Sequence, residues 1–179
     1  MSKNTNHHLH STRRIDMMNK EEVVLQKATF GAGCFWGVEA AFREVKGVIS
    51  TVVGYMGGDL DNPSYQDVCT GTTGHSEVVE VIFNSHEVSY RDLLRLFWSI
   101  HDPTTVNRQG PDVGVQYRSV IFYHDLDQKK LAEKMRDELQ KSNIYPRDIV
   151  TAIEPAQTFW KAEDYHQQYF EKTKRRSCF

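Results

Sequence analysis

With 179 residues, 39% hydrophobic and 26% charged, the chain has the proportions of one soluble globular domain able to bury most of its apolar surface. A formal charge of −2 excludes the general basic field that nucleic-acid binding requires. No apolar run reaches the ~18 residues that a membrane-spanning helix needs.

The first twenty residues are polar, rich in His, Asn, Ser and Thr, and lack the apolar stretch of a secretory signal. A disordered extension or expression remnant is expected over residues 1–20. The three cysteines, Cys34, Cys69 and Cys178, are far apart with no CxxC pair. That pattern argues against a disulfide framework and against a structural zinc site. Reduced thiols in the cytoplasm, at least one of them reactive, are the expectation. No metal, organic cofactor or membrane partner is signalled, and a monomer is expected.

Residues 22–31 carry a β-branched and aromatic run, Val23, Val24, Thr29 and Phe30, that predicts a first strand. Gly31 and Gly33 permit a tight turn, after which Phe35, Val38, Phe42 and Val45 recur at helical spacing up to Gly47. Glu39 and Arg43 are expected to pair on the other side of that helix. A second strand is predicted over residues 48–55, and a long Gly-, Asp- and Thr-rich loop over 57–74. Residues 77–83 read as a third strand. Ser89 with Asp92 forms the capping signature of a helix whose apolar stripe is Leu93, Leu94, Phe97 and Ile100. A second loop is predicted over 104–114, a fourth strand over 117–123, and a helix over 127–141 with Leu131, Met135 and Leu139 on one face. A fifth strand is predicted over 149–154, and an aromatic helical segment over 159–170. The order β-α-β-β-α-β followed by α-β is that of an α+β fold, a ferredoxin-like split βαβ two-layer sandwich with an added αβ unit and a coil tail.

The strongest chemical feature is Gly33-Cys34-Phe35-Trp36-Gly37, between a predicted strand and helix. Unpaired N–H groups and the macrodipole of a helix start favour an anion there. The expected species is a thiolate, with a pKa drawn down from ~8.5 towards neutrality. A small buried hydrophobe is the alternative reading of the cysteine. Phe35 lies on the apolar stripe, whereas Trp36 lies off it and would cover a sheet edge or wall a pocket beside the sulfur. Alternation sets Glu77 on one face with Val79, Val81 and Phe83. Desolvation there would raise its pKa and let it donate a proton near neutral pH; a solvated strand-end carboxylate is the other reading. Tyr65 and Tyr117 could supply phenolic donors to an oxygen.

Together with Gly54-Tyr55-Met56-Gly57-Gly58, Asn62-Pro63-Ser64-Tyr65, Thr73-Gly74-His75-Ser76-Glu77, His101-Asp102-Pro103-Thr104, the run from Asn107 to Ser119, and Ala162-Glu163-Asp164-Tyr165-His166-Gln167-Gln168-Tyr169, this sequence resembles the A-type peptide methionine sulfoxide reductases. The resemblance extends from about Gln26 to Cys178. It implies that Glu77, Tyr65 and Tyr117 grip a sulfoxide oxygen, with Glu77 as proton source and Asp112 in the same polar shell. It further implies that Phe35 and Trp36 form the pocket for the S-methyl group, with a preference for the S epimer. Cys34 would attack sulfur and become a sulfenic acid. Cys178, where the family carries its first C-terminal resolving cysteine, would condense with it, and thioredoxin would reduce the resulting disulfide. Cys69 matches a position that is usually not catalytic, and a buried thiol is expected there. The chain departs from the family's glycine-rich tail, with Lys174, Arg175, Arg176 and Ser177 before Cys178 and no second resolving cysteine after it. On this reading residues 21–170 form a single catalytic domain and 171–179 a mobile tail.

Two rival readings remain at this point. A thiol hydrolase would need His75 or His166 as a base for Cys34. A redox-responsive binding module would leave Glu77 and both tyrosines without a task.

Overall fold

The computed structural model describes residues 23–174; the expected N-terminal extension and Cys178 lie outside the described residues. In chain order the elements are β1 (Leu25–Ala32), α1 (Phe35–Arg43), β2 (Val48–Met56), α2 (Tyr65–Cys69), β3 (Ser76–Asn84), α3 (Tyr90–Ser99), β4 (Arg108–Gln109), β5 (Asp112–Val113), β6 (Ser119–Tyr123), α4 (Leu126–Lys141), β7 (Ala152–Pro155), β8 (Trp160–Lys161) and α5 (Tyr169–Thr173).

The main sheet has the order β7-β6-β1-β3-β2-β8. Its inner four strands, β6-β1-β3-β2, are antiparallel throughout, which is the split βαβ arrangement. The added unit is α4, which returns the chain so that β7 runs parallel to β6.

Strand alternation sorts the apolar residues onto two faces. Phe30, Val79, Val81, Phe83 and Ile121 turn towards α1, α3 and α4 and make the main core with Phe42, Leu93, Leu94, Phe97 and Ala132. Phe30 lies at its centre, stacked on Phe42 at 4.9 Å and on Phe97 at 5.4 Å between ring centroids. The opposite face is smaller: Met56, Val78, Val120 and Phe122, covered in part by Ala156 and Phe159.

Several local expectations are corrected. The loop over 57–74 contains α2, started by a capping box in which Ser64 and Asp67 satisfy each other's backbone N–H groups. The loop over 104–114 contains the short hairpin β4–β5. Tyr117 ends a 3₁₀ turn, Val115–Tyr117, and β6 begins only at Ser119. The segment 159–170 is not one helix: β8 pairs with β2 through Gly54 and Tyr55, a 3₁₀ turn covers Asp164–His166, and α5 follows. The sheet edge overrides the helical periodicity there. Gly54 has no side chain to hold off Phe159 and Trp160, and the Gln167 amide bonds both the N–H and the C=O of Val53 at 2.9 Å, as a neighbouring strand would. Nor does Arg43 pair with Glu39 along α1; it forms an ion pair with Glu171 of α5, while the buried Glu39 accepts from Thr51 at 2.8 Å.

Because Phe30 joins β1 to both α1 and α3, Phe30→Ala should destabilise the fold by about 3–5 kcal/mol. Urea unfolding measures this, and a loss below about 1 kcal/mol would contradict the central role given to that ring.

Candidate active site

β1 ends at Ala32 and is followed by Gly33, whose φ of 91° is open to glycine at little cost. The turn makes Cys34 the N-cap of α1, with φ −54° and ψ 119°, one residue ahead of the first helical turn in which the sequence set it. A side chain at Gly33 would meet Gln109, so the turn also admits the β4–β5 hairpin over the thiol.

The first helical residue, Phe35, has a backbone N–H with no partner inside the helix. That N–H donates to Glu77 Oε2 at 3.0 Å. Glu77 stands on β3, on the face that packs under the helices, and is only 2% exposed. Burial pushes its carboxyl up to about 8; the Phe35 N–H pulls the other way, and the nearby Asp112 charge adds to the rise. Desolvation wins, so the group holds its proton at neutral pH while remaining fixed to the helix that carries Cys34.

Cys34 and Glu77 line one cavity of about 420 Å³. Phe35, Trp36, Tyr65, Asp112 and Tyr117 line it too, so the structure brings together all seven described residues that the sequence singled out. Burial raises both phenols above their ordinary range. Tyr65 is raised further by its hydrogen bond to Cys69, and Tyr117 by the charges of Glu77 and Asp112. Both therefore remain O–H donors at neutral pH. Cys69 is exposed rather than buried, because the short α2 turns Val68 inward and leaves the next residue outside.

The sequence assigns no wall-holding role to the groups that fix these walls, and marks His166 only as a candidate base for Cys34. The Trp36 indole N–H donates to His166 Nδ1 at 3.0 Å, and Tyr169 stacks on the indole at 3.7 Å and 7°. Glu39 fixes the segment bearing Tyr169 by accepting from the backbone and side-chain nitrogens of Gln168 at 2.8 and 2.9 Å. Glu163 accepts from the Tyr65 backbone N–H at 2.7 Å and from the Tyr55 hydroxyl at 3.0 Å. On the far side, Gln109 bonds the N–H and C=O of Asp102 at 3.1 Å each, anchoring the hairpin whose Gly110 and Pro111 complete the cavity. The run Ala162–Tyr169 was the available signal, since Glu163, His166, Gln167 and Gln168 are more polar hydrogen-bonding groups than a short helix face needs.

Both histidines proposed for a hydrolase are engaged. His75 accepts from the Gly58 N–H at 3.1 Å and donates to the Leu60 carbonyl at 2.8 Å. His166 accepts from Trp36. Neither offers Cys34 a base. Among the described residues there is no cluster that could hold a metal ion, and no helix is long and apolar enough to cross a membrane.

The family model described as peptide methionine sulfoxide reductase matches residues 26–179. A relative from Methanothermobacter thermautotrophicus, named peptide methionine sulfoxide reductase MsrA, is 67% identical over 154 residues, covering 86% of this chain and 91% of its own. The crystal structure of reduced Mxr1 from Saccharomyces cerevisiae is similar with a TM-score of 0.80 and 37% identity, over 86% of this chain and 88% of the yeast chain. Mxr1 in complex with Trx2 is similar with a TM-score of 0.58 and 26% identity, over 84% and 91% of the two chains. A family match over residues 26–179, together with a relative 67% identical over most of both chains and a solved structure of the same fold, means that this protein belongs to the peptide methionine sulfoxide reductase family.

Proposed function

We propose that the protein reduces methionine S-sulfoxide, free or within proteins, by attack of Cys34 on the sulfinyl sulfur with Glu77 as the proton source. The reading is carried by one observation: Cys34 and a buried, proton-holding Glu77 open into the same cavity, between a wall of phenols and a wall of aromatic rings.

A sulfoxide sulfur is a poor electrophile until its oxygen is protonated or strongly hydrogen-bonded. In the proposed complex the oxygen lies among the Tyr65 and Tyr117 hydroxyls and the Glu77 carboxyl, with Asp112 close by. The S-methyl group lies against Phe35 and Trp36. Binding oxygen on one side and methyl on the other distinguishes the two configurations at sulfur, and reductases of this kind act on one epimer each. The Cys34 thiolate, favoured at the N-terminus of α1, bonds to the sulfur as Glu77 gives its proton to the oxygen. Collapse transfers the hydroxyl to Cys34, leaving a sulfenic acid and the thioether of methionine. The Cys178 thiol then displaces water to form a Cys34–Cys178 disulfide, and a dithiol reductant restores both thiols. The yeast relative solved with Trx2 supports a thioredoxin in that last role. A thioredoxin-fed cycle of protein repair under oxidative stress fits a monomeric enzyme in the reducing cytoplasm.

Cys34→Ser should abolish methionine formation from the S epimer with dithiothreitol. Cys178→Ser should still give one equivalent of methionine but fail to turn over with thioredoxin. Retained turnover in Cys34→Ser sinks the mechanism, and continued thioredoxin-driven turnover in Cys178→Ser removes the resolving role of that thiol.

For Glu77 the useful form is the acid. Its folded-state pKa of about 8 lies above the ordinary 4.5, so the proton donor is present below that pH and is lost as pH rises through it. kcat/KM should therefore decline above about pH 8. Glu77→Gln, which cannot give up a proton, should lower the rate by roughly 10²–10⁴ and abolish this alkaline limb. A pH–rate profile of both proteins checks the assignment; an identical limb in the variant assigns it to another group.

A further inference from the structure

We propose that His166 is the positioning residue for the aromatic wall: as the neutral Nε2–H tautomer it fixes the Trp36 indole through Nδ1, and thereby sets how tightly the site fits the alkyl group on the reacting sulfur. This rests on the proposed reading of the cavity as a methyl sulfoxide site.

The tautomer follows from hydrogen-bond chemistry. An indole N–H is only a donor, so the ring nitrogen it reaches must be an unprotonated acceptor. The Trp36 Nε1–H reaches His166 Nδ1 at 3.0 Å, which leaves the imidazole proton on Nε2. His166 is 1% exposed, and burial lowers its pKa, consistent with an uncharged ring. Among the described residues Nε2 has no hydrogen-bond partner, and its charged neighbour is Glu163, at 3.8 Å. A buried N–H without a full hydrogen bond is unfavourable, so simple packing does not account for an imidazole here as well as the bond to Trp36 does.

The imidazole is also where the two walls meet. Its ring centroid lies 5.1 Å from Phe35, 5.7 Å from Trp36, 4.5 Å from Tyr65 and 4.0 Å from Tyr165. Tyr169 holds the indole by stacking alone, which leaves it free to slide in its own plane. The Nδ1 bond removes that freedom. A phenyl ring in place of His166 would keep the packing and lose the acceptor, and the indole would no longer be locked against the sulfur substituent.

The test compares kcat/KM for the S epimers of methionine sulfoxide and ethionine sulfoxide, with dithiothreitol as reductant. One methylene in a fitted apolar pocket is worth at least about tenfold, so His166→Phe should reduce the methyl-over-ethyl preference by about that factor. In His166→Asn the amide oxygen stands near the place of Nδ1, and the preference should return to within about threefold of wild type. Trp36→Phe should reproduce the loss, and adding His166→Phe to it should change nothing more. General destabilisation lowers both substrates together; an unchanged preference in His166→Phe, or losses that add in the double variant, overturns the proposal. Should His166→Phe fail to fold, ¹⁵N spectra of the wild-type imidazole at pH 7 decide instead: Nε2–H supports the proposal and Nδ1–H or imidazolium overturns it. That measurement needs no turnover, so inactivity of the wild type on both sulfoxides would indict the reading of the cavity and leave the role of His166 separately decided.

Discussion

The contact from the Phe35 N–H to Glu77 Oε2 ties the site together. It closes the first open amide of α1 with a carboxyl from β3, so the strand bearing the proposed acid and the helix start bearing the proposed nucleophile are set against each other by one hydrogen bond. Two opposing demands are met in that place. A helix N-terminus favours negative charge, whereas a site 2% exposed disfavours it. The balance lies with burial, and a carboxyl that would ordinarily be ionised holds a proton at neutral pH. The thiol beside it sits at the same helix start but one residue earlier and less deeply buried. One helix end thus offers two environments, suited to an acid and to an anion.

A second carboxyl repeats the device on the opposite side. Glu163 caps the first amide of α2 through the Tyr65 N–H, as Glu77 caps that of α1. Both helices begin at residues that line the cavity, so an acidic side chain from a distant segment determines where each wall starts. Behind the walls, the segment from Ala162 to Tyr169 contributes Glu163, His166, Gln167, Gln168 and Tyr169, each bonded or stacked to an element at the front. That density of polar attachment fastens a short stretch that lies beyond the two sheet residues of β8 and has no strand pairing of its own.

Much of this was legible in the chain order. The periods of two and 3.6 marked the strands and helices of the split βαβ core, because each of those elements buries one face and its apolar spacing records which. The Ser89–Asp92 capping box fixed the start of α3 for a local reason, a side chain bonding a backbone three residues away. The same logic operates at Ser64–Asp67, where α2 is too short to display an apolar stripe beside it. Residues 159–170 misled for the converse reason: their aromatic spacing imitates a helix, but the bonds that shape them come from Val53, Trp36 and Glu39, more than a hundred residues away.

The sequence alone determined the kinds of chemical group available and their local settings: a cysteine after a glycine turn, a glutamate in an apolar row, and motifs specific enough to identify the family. Those are properties of neighbours within a few residues, where spacing and chemistry suffice. Only the tertiary structure decided that Cys34, Glu77, Tyr65 and Tyr117 face one cavity, that Glu77 keeps its proton, that Cys69 lies outside, and that His166 serves Trp36 rather than the thiol. Each of these depends on desolvation or on a hydrogen bond between distant segments, and neither exists until the sheet has closed and water has been driven from between its layers.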